Sequence, residues 1–269
     1  KGPAVQGPRT QIDREIYKNY IQKELKSLNK LSILQGEVSD LIISRENVRG
    51  VVLSDNTKIY ANSVVLTTGT FLNGKIHIGE KSYSGGRSGD KASISLAKRL
   101  YDLNLPIARL KTGTPPRLDG KTINWEKLEK QNADENPFFF SFLTTEANLK
   151  QISCYITHTN SETHNIIRNN FKKSAIFNGK ILSKGPRYCP SIEDKVFRFS
   201  DKDRHQVFLE PEGLNTDTIY PNGISTSLPE QIQKEFLSTI TGLENVKILQ
   251  PGYAIEYDYV DPRSLNQSL

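Results

Sequence analysis

Hydrophobic residues change their spacing twice within the first hundred positions, and this change predicts a mixed α/β fold. Apolar residues at 10–28 recur at steps of mostly three or four, which is typical of an amphipathic helix with one buried stripe. Short β-branched runs at 31–70 predict a three-stranded meander followed by a fully buried strand at 64–66. Helical spacing returns at 94–101 and stops before Pro106.

Two loops next to these elements are candidates for ligand contact. The strand at 64–66 runs into small residues that end at Gly69, and in α/β sheets such a junction lets a ligand approach the backbone. A tight turn explains the same residues. Residues 84–90 are rich in glycine and serine, precede a helix and contain Arg87, a combination that suits a phosphate group. A flexible surface loop is an equally good interpretation.

The second half of the chain reads as a different module. Residues 111–117 are rich in proline and glycine, and clear periodicity is then absent until 150, which indicates a crossing between modules. The patterns beyond that point predict strands at 154–157, 246–249 and 253–260, helices at 161–171 and 228–237, and a hairpin with arms at 197–199 and 206–209. The predicted units are residues 1–110, an insertion at 111–250, and a return at 251–269.

Composition narrows the class of protein. No apolar run approaches the ~18 residues of a membrane-spanning helix, so no transmembrane segment is predicted. The two cysteines lie 35 positions apart (189 − 154), which provides neither a disulfide framework nor a C-x-x-C pair and favours a reducing compartment. The net charge of +6 suits an anionic partner such as RNA or a nucleotide, although a solvated surface also explains it. The absence of methionine suggests an internal piece of a longer chain.

The sharpest local candidate for chemistry is Cys189. Pro190 suits the first position of a helix, which would place Cys189 at the N-cap, where free N–H groups and the helix dipole stabilise a thiolate. Arg187 would lower the pKa of this thiol, and Glu193 and Asp194 would raise it. A reactive thiol and an inert small hydrophobic residue both remain open from these residues alone.

Other candidates for chemistry are weaker. Cys154 lies in an apolar strand pattern and is expected to be a buried core thiol. His158 and His164 have no zinc-site spacing, so no metal is predicted. Glu210 and Glu212 bring two carboxylates together, which suits either acid–base chemistry or a solvated turn.

A series of motifs runs through the whole chain in order. They are KGPAV at 1–5, LTTGTFL at 66–72, YSGGR at 83–87, LKTGTPPR at 110–117, CYITHTN at 154–160, GPRYCPSIEDK at 185–195, LEPEGL at 209–214 and the stretch 219–228. Together they resemble the MnmG (GidA) family of flavoproteins. Members of that family install a 5-carboxymethylaminomethyl or aminomethyl group on the wobble uridine of certain tRNAs.

The resemblance implies an architecture and a set of partners. The fold would be part of an FAD-binding, Rossmann-like domain of the glutathione-reductase type with a β-meander, interrupted by an inserted α+β domain. The implied cofactors are FAD, NADH and methylenetetrahydrofolate as one-carbon donor. The implied partners are tRNA, the GTPase MnmE and a second copy of the chain, in the cytoplasm or, for an organellar homologue, in an organelle.

The resemblance also assigns site residues. Val38, Gly69 and Ser93 match FAD-binding positions, and Cys189 matches a cysteine that the family requires for activity. The proposed nicotinamide-binding stretch matches Gly185, Pro186, Arg187, Tyr188, Cys189, Pro190, Ser191, Ile192, Glu193, Asp194, Lys195, Val196, Phe197, Arg198 and Phe199.

The implied chemistry gives Cys189 one of two roles. As a nucleophile it would add to C6 of the uracil ring and make C5 reactive toward a one-carbon unit, and as an acid–base group it would move a proton. The G-x-G-x-x-G fingerprint and a second essential cysteine of the family do not occur in this sequence, so the chain alone is expected to bind FAD poorly and to be inactive. The alternatives are a folate- and FAD-dependent tRNA uridine-5-methyltransferase, a plain NADH oxidoreductase, and a non-catalytic RNA-docking module.

Overall fold

The computed structural model describes Gly7, residues 9–183, Gly185 and residues 190–266. This part of the chain forms a mixed α/β fold with three antiparallel sheets. The helices are α1 (Arg14–Lys26), α2 (Ile94–Asp102), α3 (Ser161–Asn169), α4 (Ile192–Arg198) and α5 (Glu230–Ser238). The strands are β1 (Val38–Ser44), β2 (Asn47–Leu53), β3 (Lys58–Tyr60), β4 (Lys75–Ile78), β5 (Lys81–Ser84), β6 (Ile107–Thr114), β7 (Arg117–Asp119), β8 (Glu129–Gln131), β9 (Cys154–His158), β10 (Gln206–Pro211), β11 (Thr218–Asn222), β12 (Ile248–Gln250) and β13 (Tyr253–Val260).

The predicted meander is confirmed by a sheet of order β1-β2-β3. Helix α2 packs on it through a small cluster that includes Leu41, Leu96 and Leu100. The expected buried strand at 64–66 is wrong for the described chain, because no described strand pairs with it and Val65 is 84% exposed. A run of β-branched residues becomes a strand only where a neighbouring strand satisfies its backbone hydrogen bonds.

The chain passes between two further sheets at two places that lie next to each other. The four-stranded sheet has the order β5-β4-β13-β6, and the six-stranded sheet has the order β12-β7-β11-β10-β9-β8. The chain leaves the first sheet through Pro115 and Pro116 and returns through Pro251 and Gly252. The two crossings are adjacent because β6 pairs with β13 and β7 pairs with β12. The boundary predicted at 110/111 falls inside β6, and the division into units remains a prediction.

The six-stranded sheet carries the largest hydrophobic core. Helices α3, α4 and α5 contribute Ile167, Ile192 and Phe236 to it, and each of these side chains is fully buried. The arm predicted at 197–199 is wrong, since Phe197 and Arg198 belong to α4. Strand β10 instead pairs with β9 and β11.

Helix α1 forms as predicted, but its apolar stripe is not buried. Asp13 caps the helix by accepting from the Ile16 N–H at 2.8 Å, and it also accepts from the Leu214 N–H at 2.7 Å. A cavity of about 450 Å³ separates the stripe, including Tyr17 and Tyr20, from residues 137–152, so the stripe faces a cleft instead of a core. Within the described residues no helix is both long enough and apolar enough to cross a bilayer.

Candidate active site

The turn that contains Gly69 is tied to the start of α2. Gly69 has φ +54°, a conformation that glycine adopts without strain, and an added Cβ would meet only the Phe71 ring, at 3.9 Å. The Ser93 N–H donates to the Phe71 carbonyl at 2.8 Å, and the Ser93 carbonyl accepts from the Asn73 N–H at 3.1 Å. Two of the three predicted FAD residues therefore lie on one hydrogen-bonded unit.

The geometry of this unit suits an anionic cofactor. Ser93 is the N-cap of α2, and among the described contacts its side chain makes no capping hydrogen bond. The first-turn residues Ile94 and Ser95 are exposed, so the positive end of the helix dipole faces solvent. An open glycine backbone beside a helix N-terminus is compatible with the diphosphate of FAD.

Val38 lies in the same layer as these two residues. It begins β1 and packs against the cluster that contains Leu72 and Leu96, which flank Gly69 and Ser93 in the sequence. Val38 therefore packs in the cluster that also takes Leu72, three positions after Gly69, and Leu96, three positions after Ser93. Their contact with FAD remains a prediction.

The loop at 84–90 uses its donors within the protein. The Gly86 N–H donates to the Asp90 carbonyl at 3.1 Å, and the Ser88 N–H donates to the Tyr253 hydroxyl at 3.2 Å. The Arg87 guanidinium forms an ion pair with Asp90 at 2.7 Å. Because these groups already have partners, the geometry favours a structured surface loop over a phosphate cradle.

The predicted N-cap at Cys189 is wrong, because α4 begins at Ile192 and its N-cap is Ser191. The Ser191 hydroxyl accepts from the Asp194 N–H at 3.1 Å, and the Asp194 carboxylate accepts from the Ser191 N–H at 3.3 Å. This reciprocal capping box fixes the N-cap two residues beyond Cys189 and the first helical residue three beyond it. Around this helix start, Lys184, Pro186, Arg187, Tyr188 and Cys189 lie outside the described residues, and so does the motif at 1–5.

The acidic side chains of α4 are committed to internal contacts. Glu193 is fully buried and accepts from the Ser227 N–H at 2.9 Å and from the Ser174 hydroxyl at 3.2 Å. Burial raises the pKa of Glu193 above that of an ordinary carboxyl group, against the effect of these hydrogen bonds. Asp194 accepts from the buried Lys111 ammonium at 3.0 Å.

The described residues of the predicted nicotinamide stretch divide into two faces. Ile192 and Val196 are in the core of the six-stranded module, whereas Phe197, Arg198 and Phe199 are exposed. Only the exposed face could meet a dinucleotide without unfolding α4. Nicotinamide binding by this stretch remains a prediction.

Sequence reasoning missed the residues that contact the chain on either side of Cys189, near Ser183 and near Ser191. The Ser183 hydroxyl donates to Glu256 Oε1 at 2.7 Å, and Glu256 Oε2 lies 3.2 Å from His77 Nε2. A Cβ added to Gly185 would lie 3.0 Å from Lys111 Cε. The available signal was the charged residue Glu256 within the predicted strand at 253–260, whereas no sequence pattern pointed to Lys111.

The second cysteine is not activated. Cys154 is half-buried on β9, and burial, assisted by the negative charge of Glu210, raises the pKa of its thiol. Glu210 accepts from the Asn222 amide at 3.3 Å and pairs with Arg9, while Glu212 pairs with Arg117 at 2.7 Å. These two carboxylates therefore serve as structural ion-pair partners.

Burial lowers the pKa of two neighbouring histidines, which favours their neutral forms. The rings of His164 and His205 lie 5.1 Å apart, and burial is the main cause that lowers the pKa of each. Within the part of the chain that the structure describes, no three His, Cys, Asp or Glu side chains are grouped to hold a metal ion.

Comparisons with known proteins identify the family. The family model for glucose inhibited division protein A, GIDA, matches residues 1–269. A relative from Granulibacter bethesdensis, named tRNA uridine 5-carboxymethylaminomethyl modification enzyme MnmG, is 56% identical over 272 residues that cover 100% of this chain and 43% of the relative. The mixed α/β fold matches GidA of Aquifex aeolicus in two crystal forms. In form I the TM-score is 0.91 with 48% identity over 98% of this chain and 45% of that one, and in form II it is 0.89 with 46% identity over 98% and 43%.

These matches agree in sequence and in structure, and they confirm the mixed α/β fold expected from the sequence. The chain spans less than half the length of the relatives it matches. It belongs to the GidA family.

Proposed function

We propose that the protein containing this chain modifies tRNA, adding a carboxymethylaminomethyl or aminomethyl group to C5 of the wobble uridine. The observation that carries the proposal is the 56% identity, over the whole chain, to a relative named for that modification. The proposed partners are tRNA, the GTPase MnmE and a second copy of the protein. We place the activity in the cytoplasm, or in an organelle for an organellar homologue.

The proposed cofactors are FAD, NADH and methylenetetrahydrofolate. Val38, Gly69 and Ser93 would hold FAD, and support for this comes from the open backbone at Gly69 and the exposed N-terminus of α2. FAD, when bound, would supply the redox chemistry of the reaction. In this proposal residues 1–110 and 251–269 belong to the FAD-binding domain, and 111–250 form the inserted domain with its nicotinamide-binding stretch.

Cys189 is the proposed catalytic residue. Its thiolate sulfur would bond to C6 of the uracil ring, and the C5–C6 π electrons would move onto C5 and the C4 carbonyl oxygen. C5 would then bond to the methylene carbon of methylenetetrahydrofolate, the nitrogen of glycine or ammonium would bond to the same carbon, and tetrahydrofolate would leave. NADH would supply the reducing equivalents that keep the flavin reduced. Loss of the C5 proton to a base would expel the thiolate and restore the C5–C6 double bond. A general acid–base role for Cys189 is the competing assignment.

Nucleoside mass spectrometry of bulk tRNA tests the proposal. Cells that lack the gene are rescued with the complete gene product, either wild type, Cys189→Ser, or the matched control Cys154→Ser. We expect wild type and Cys154→Ser to restore the 5-aminomethyl-type uridines and Cys189→Ser to fail. Loss of 5-methyluridine in the deletion strain would instead identify a methyltransferase, and unchanged nucleosides would refute tRNA modification. A crosslink between enzyme and tRNA that maps away from Cys189 would refute the nucleophilic role.

A further inference from the structure

One polar face of the four-stranded sheet holds both sides of the segment that carries Cys189. Lys111 on β6 and Glu256 on β13 are directly opposite strand partners, so their side chains project from the same face. Both residues are buried. Each of the two residues makes its own set of contacts with residues near Cys189 in the sequence.

The contacts from Glu256 reach the residues before the segment. Its Oε1 accepts from the Ser183 hydroxyl at 2.7 Å, and its Oε2 faces His77 Nε2 at 3.2 Å. Burial lowers the pKa of His77 despite the nearby Glu256 charge, so this imidazole is neutral and orients Glu256 through a hydrogen bond. Ser183 is thereby held on β13, six positions before Cys189.

The contacts from Lys111 reach both sides of the segment. Its ammonium donates to Asp194 Oδ2 at 3.0 Å, and the same carboxylate oxygen accepts from the Ser191 N–H. Its Cε lies close enough to Gly185 that a side chain there would crowd it, at 3.0 Å from an added Cβ. One lysine therefore lies beside Gly185, before the segment, and holds the α4 N-terminus after it.

Stability alone does not account for this arrangement. A buried ion pair offsets much of its attraction by desolvation and is a weak source of folding free energy, whereas it specifies a single arrangement of the groups that it joins. We propose that Lys111 and Glu256 are positioning residues for the proposed catalytic thiol, because they hold Ser183 and the Ser191–Asp194 capping box, which lie on either side of Cys189 in the sequence. This inference rests on the proposed function, since it takes Cys189 to be the catalytic thiol.

The main test is Lys111→Met in the complete protein, which removes the ammonium and keeps a long side chain. We expect kcat for tRNA modification to fall about tenfold or more, because small misplacements of a catalytic group are costly, while KM for tRNA changes less than about twofold. The alkylation rate of Cys189 by iodoacetamide, measured by peptide mass spectrometry against Cys154 in the same sample, should change about threefold or more.

Asp194→Asn and the double variant show whether Lys111 acts through Asp194. We expect the double variant to lose no more activity than the worse single variant, because both remove the same contact. Lys121→Met is the matched control, since it breaks an exposed ion pair with Asp217 on the same module and should leave kcat and the alkylation ratio unchanged.

Folded Lys111→Met protein with wild-type kcat and a wild-type alkylation ratio would overturn the proposal. If Lys111→Met does not fold, Ser183→Ala decides, since it removes one hydroxyl: a folded variant with lowered kcat supports the proposal, and wild-type kcat with a wild-type alkylation ratio overturns it. Cys189→Ser is assayed in parallel. If that variant keeps full activity, the catalytic role of Cys189 fails, and the alkylation ratio still judges whether Lys111 and Glu256 position the segment.

Discussion

Two parts of the molecule differ in how many apolar side chains they bury. The six-stranded module is the six-stranded sheet with α3, α4 and α5, and the meander module is the sheet β1-β2-β3 with α2 and residues 61–66. Sixteen buried apolar residues form one core beneath the six-stranded sheet, whereas the cluster between the meander and α2 contains five. The meander module also leaves Tyr60 and Val65 largely exposed. The first module thus encloses its own core, and the second presents an apolar edge of the kind that proteins usually cover.

Phe236→Ala tests the larger core and should have the largest effect. Phe236 is fully buried on α5, and its truncation should lower the free energy of unfolding by about 3–5 kcal/mol. Urea denaturation followed by Trp125 fluorescence reports on this module, because Trp125 is the only tryptophan and packs against the same core. Phe197→Ala, at a side chain that is 61% exposed, is the control and should cost less than about 1 kcal/mol. Similar losses for both variants would contradict the comparison.

Arg109→Met tests the strands that adjoin the meander module. It removes the ion-pair partner of Asp258, which is 1% exposed, and leaves this buried carboxylate with the Tyr101 hydroxyl but without a cation. We expect a loss of about 2–3 kcal/mol, below the range for fully buried pairs because Arg109 is partly exposed. Hydrogen exchange of the β6 and β13 amides measures it. Exchange no faster than in Lys121→Met, which loses only a surface ion pair, would count against this prediction.

Glu193→Gln tests a buried acid of the six-stranded module through its pH dependence. Burial raises the pKa of Glu193, so above about pH 4.3 the unfolded chain loses a proton that the folded chain keeps. The free energy of unfolding therefore falls as pH rises from about 4.3 toward the raised pKa, and this fall should be reduced in Glu193→Gln. Urea titrations at several pH values measure the slope. The exposed Glu126→Gln serves as control, and a wild-type slope in Glu193→Gln would show that Glu193 is not the cause.

Val65→Ala should have the smallest effect. Because Val65 is 84% exposed, the change should alter the free energy of unfolding of this chain by no more than about 0.5 kcal/mol. The same substitution in the complete protein sharpens the comparison. A loss above about 1 kcal/mol there would show that another segment covers residues 64–66.

Local patterns predicted the elements whose partners are also local. The meander and α2 follow directly from spacing and turn residues, and the structure confirms them. Strand β13 is also confirmed, although its partners β4 and β6 lie far away in the sequence. The failure at 197–199 has a local cause as well, because Phe197 and Phe199 alternate like strand residues while Ser191 and Asp194 form the capping box that starts a helix. For α1 the periodicity identified an apolar face correctly, but periodicity carries no information on what covers that face.

The candidate site was less predictable because its contacts join distant parts of the chain. Lys111 and Asp194 are 83 positions apart, and Ser183 and Glu256 are 73 apart. Neither pair produces a sequence pattern. The motif around Cys189 was visible in the sequence, whereas the residues that hold its flanks became visible only through the pairing of β6 with β13.

The position of β13 also sets an order of events during synthesis. In the four-stranded sheet β13 lies between β4 and β6, and its first residue, Tyr253, follows its partner Thr114 by 139 positions (253 − 114). At translation rates of roughly 5–20 residues per second, β6 waits roughly 7–30 s for β13, and β4, which is made earlier, waits longer. Nearly all of the six-stranded module emerges from the ribosome during that interval. The core of the six-stranded module is therefore available to fold before β13 closes the four-stranded sheet that holds the flanks of Cys189.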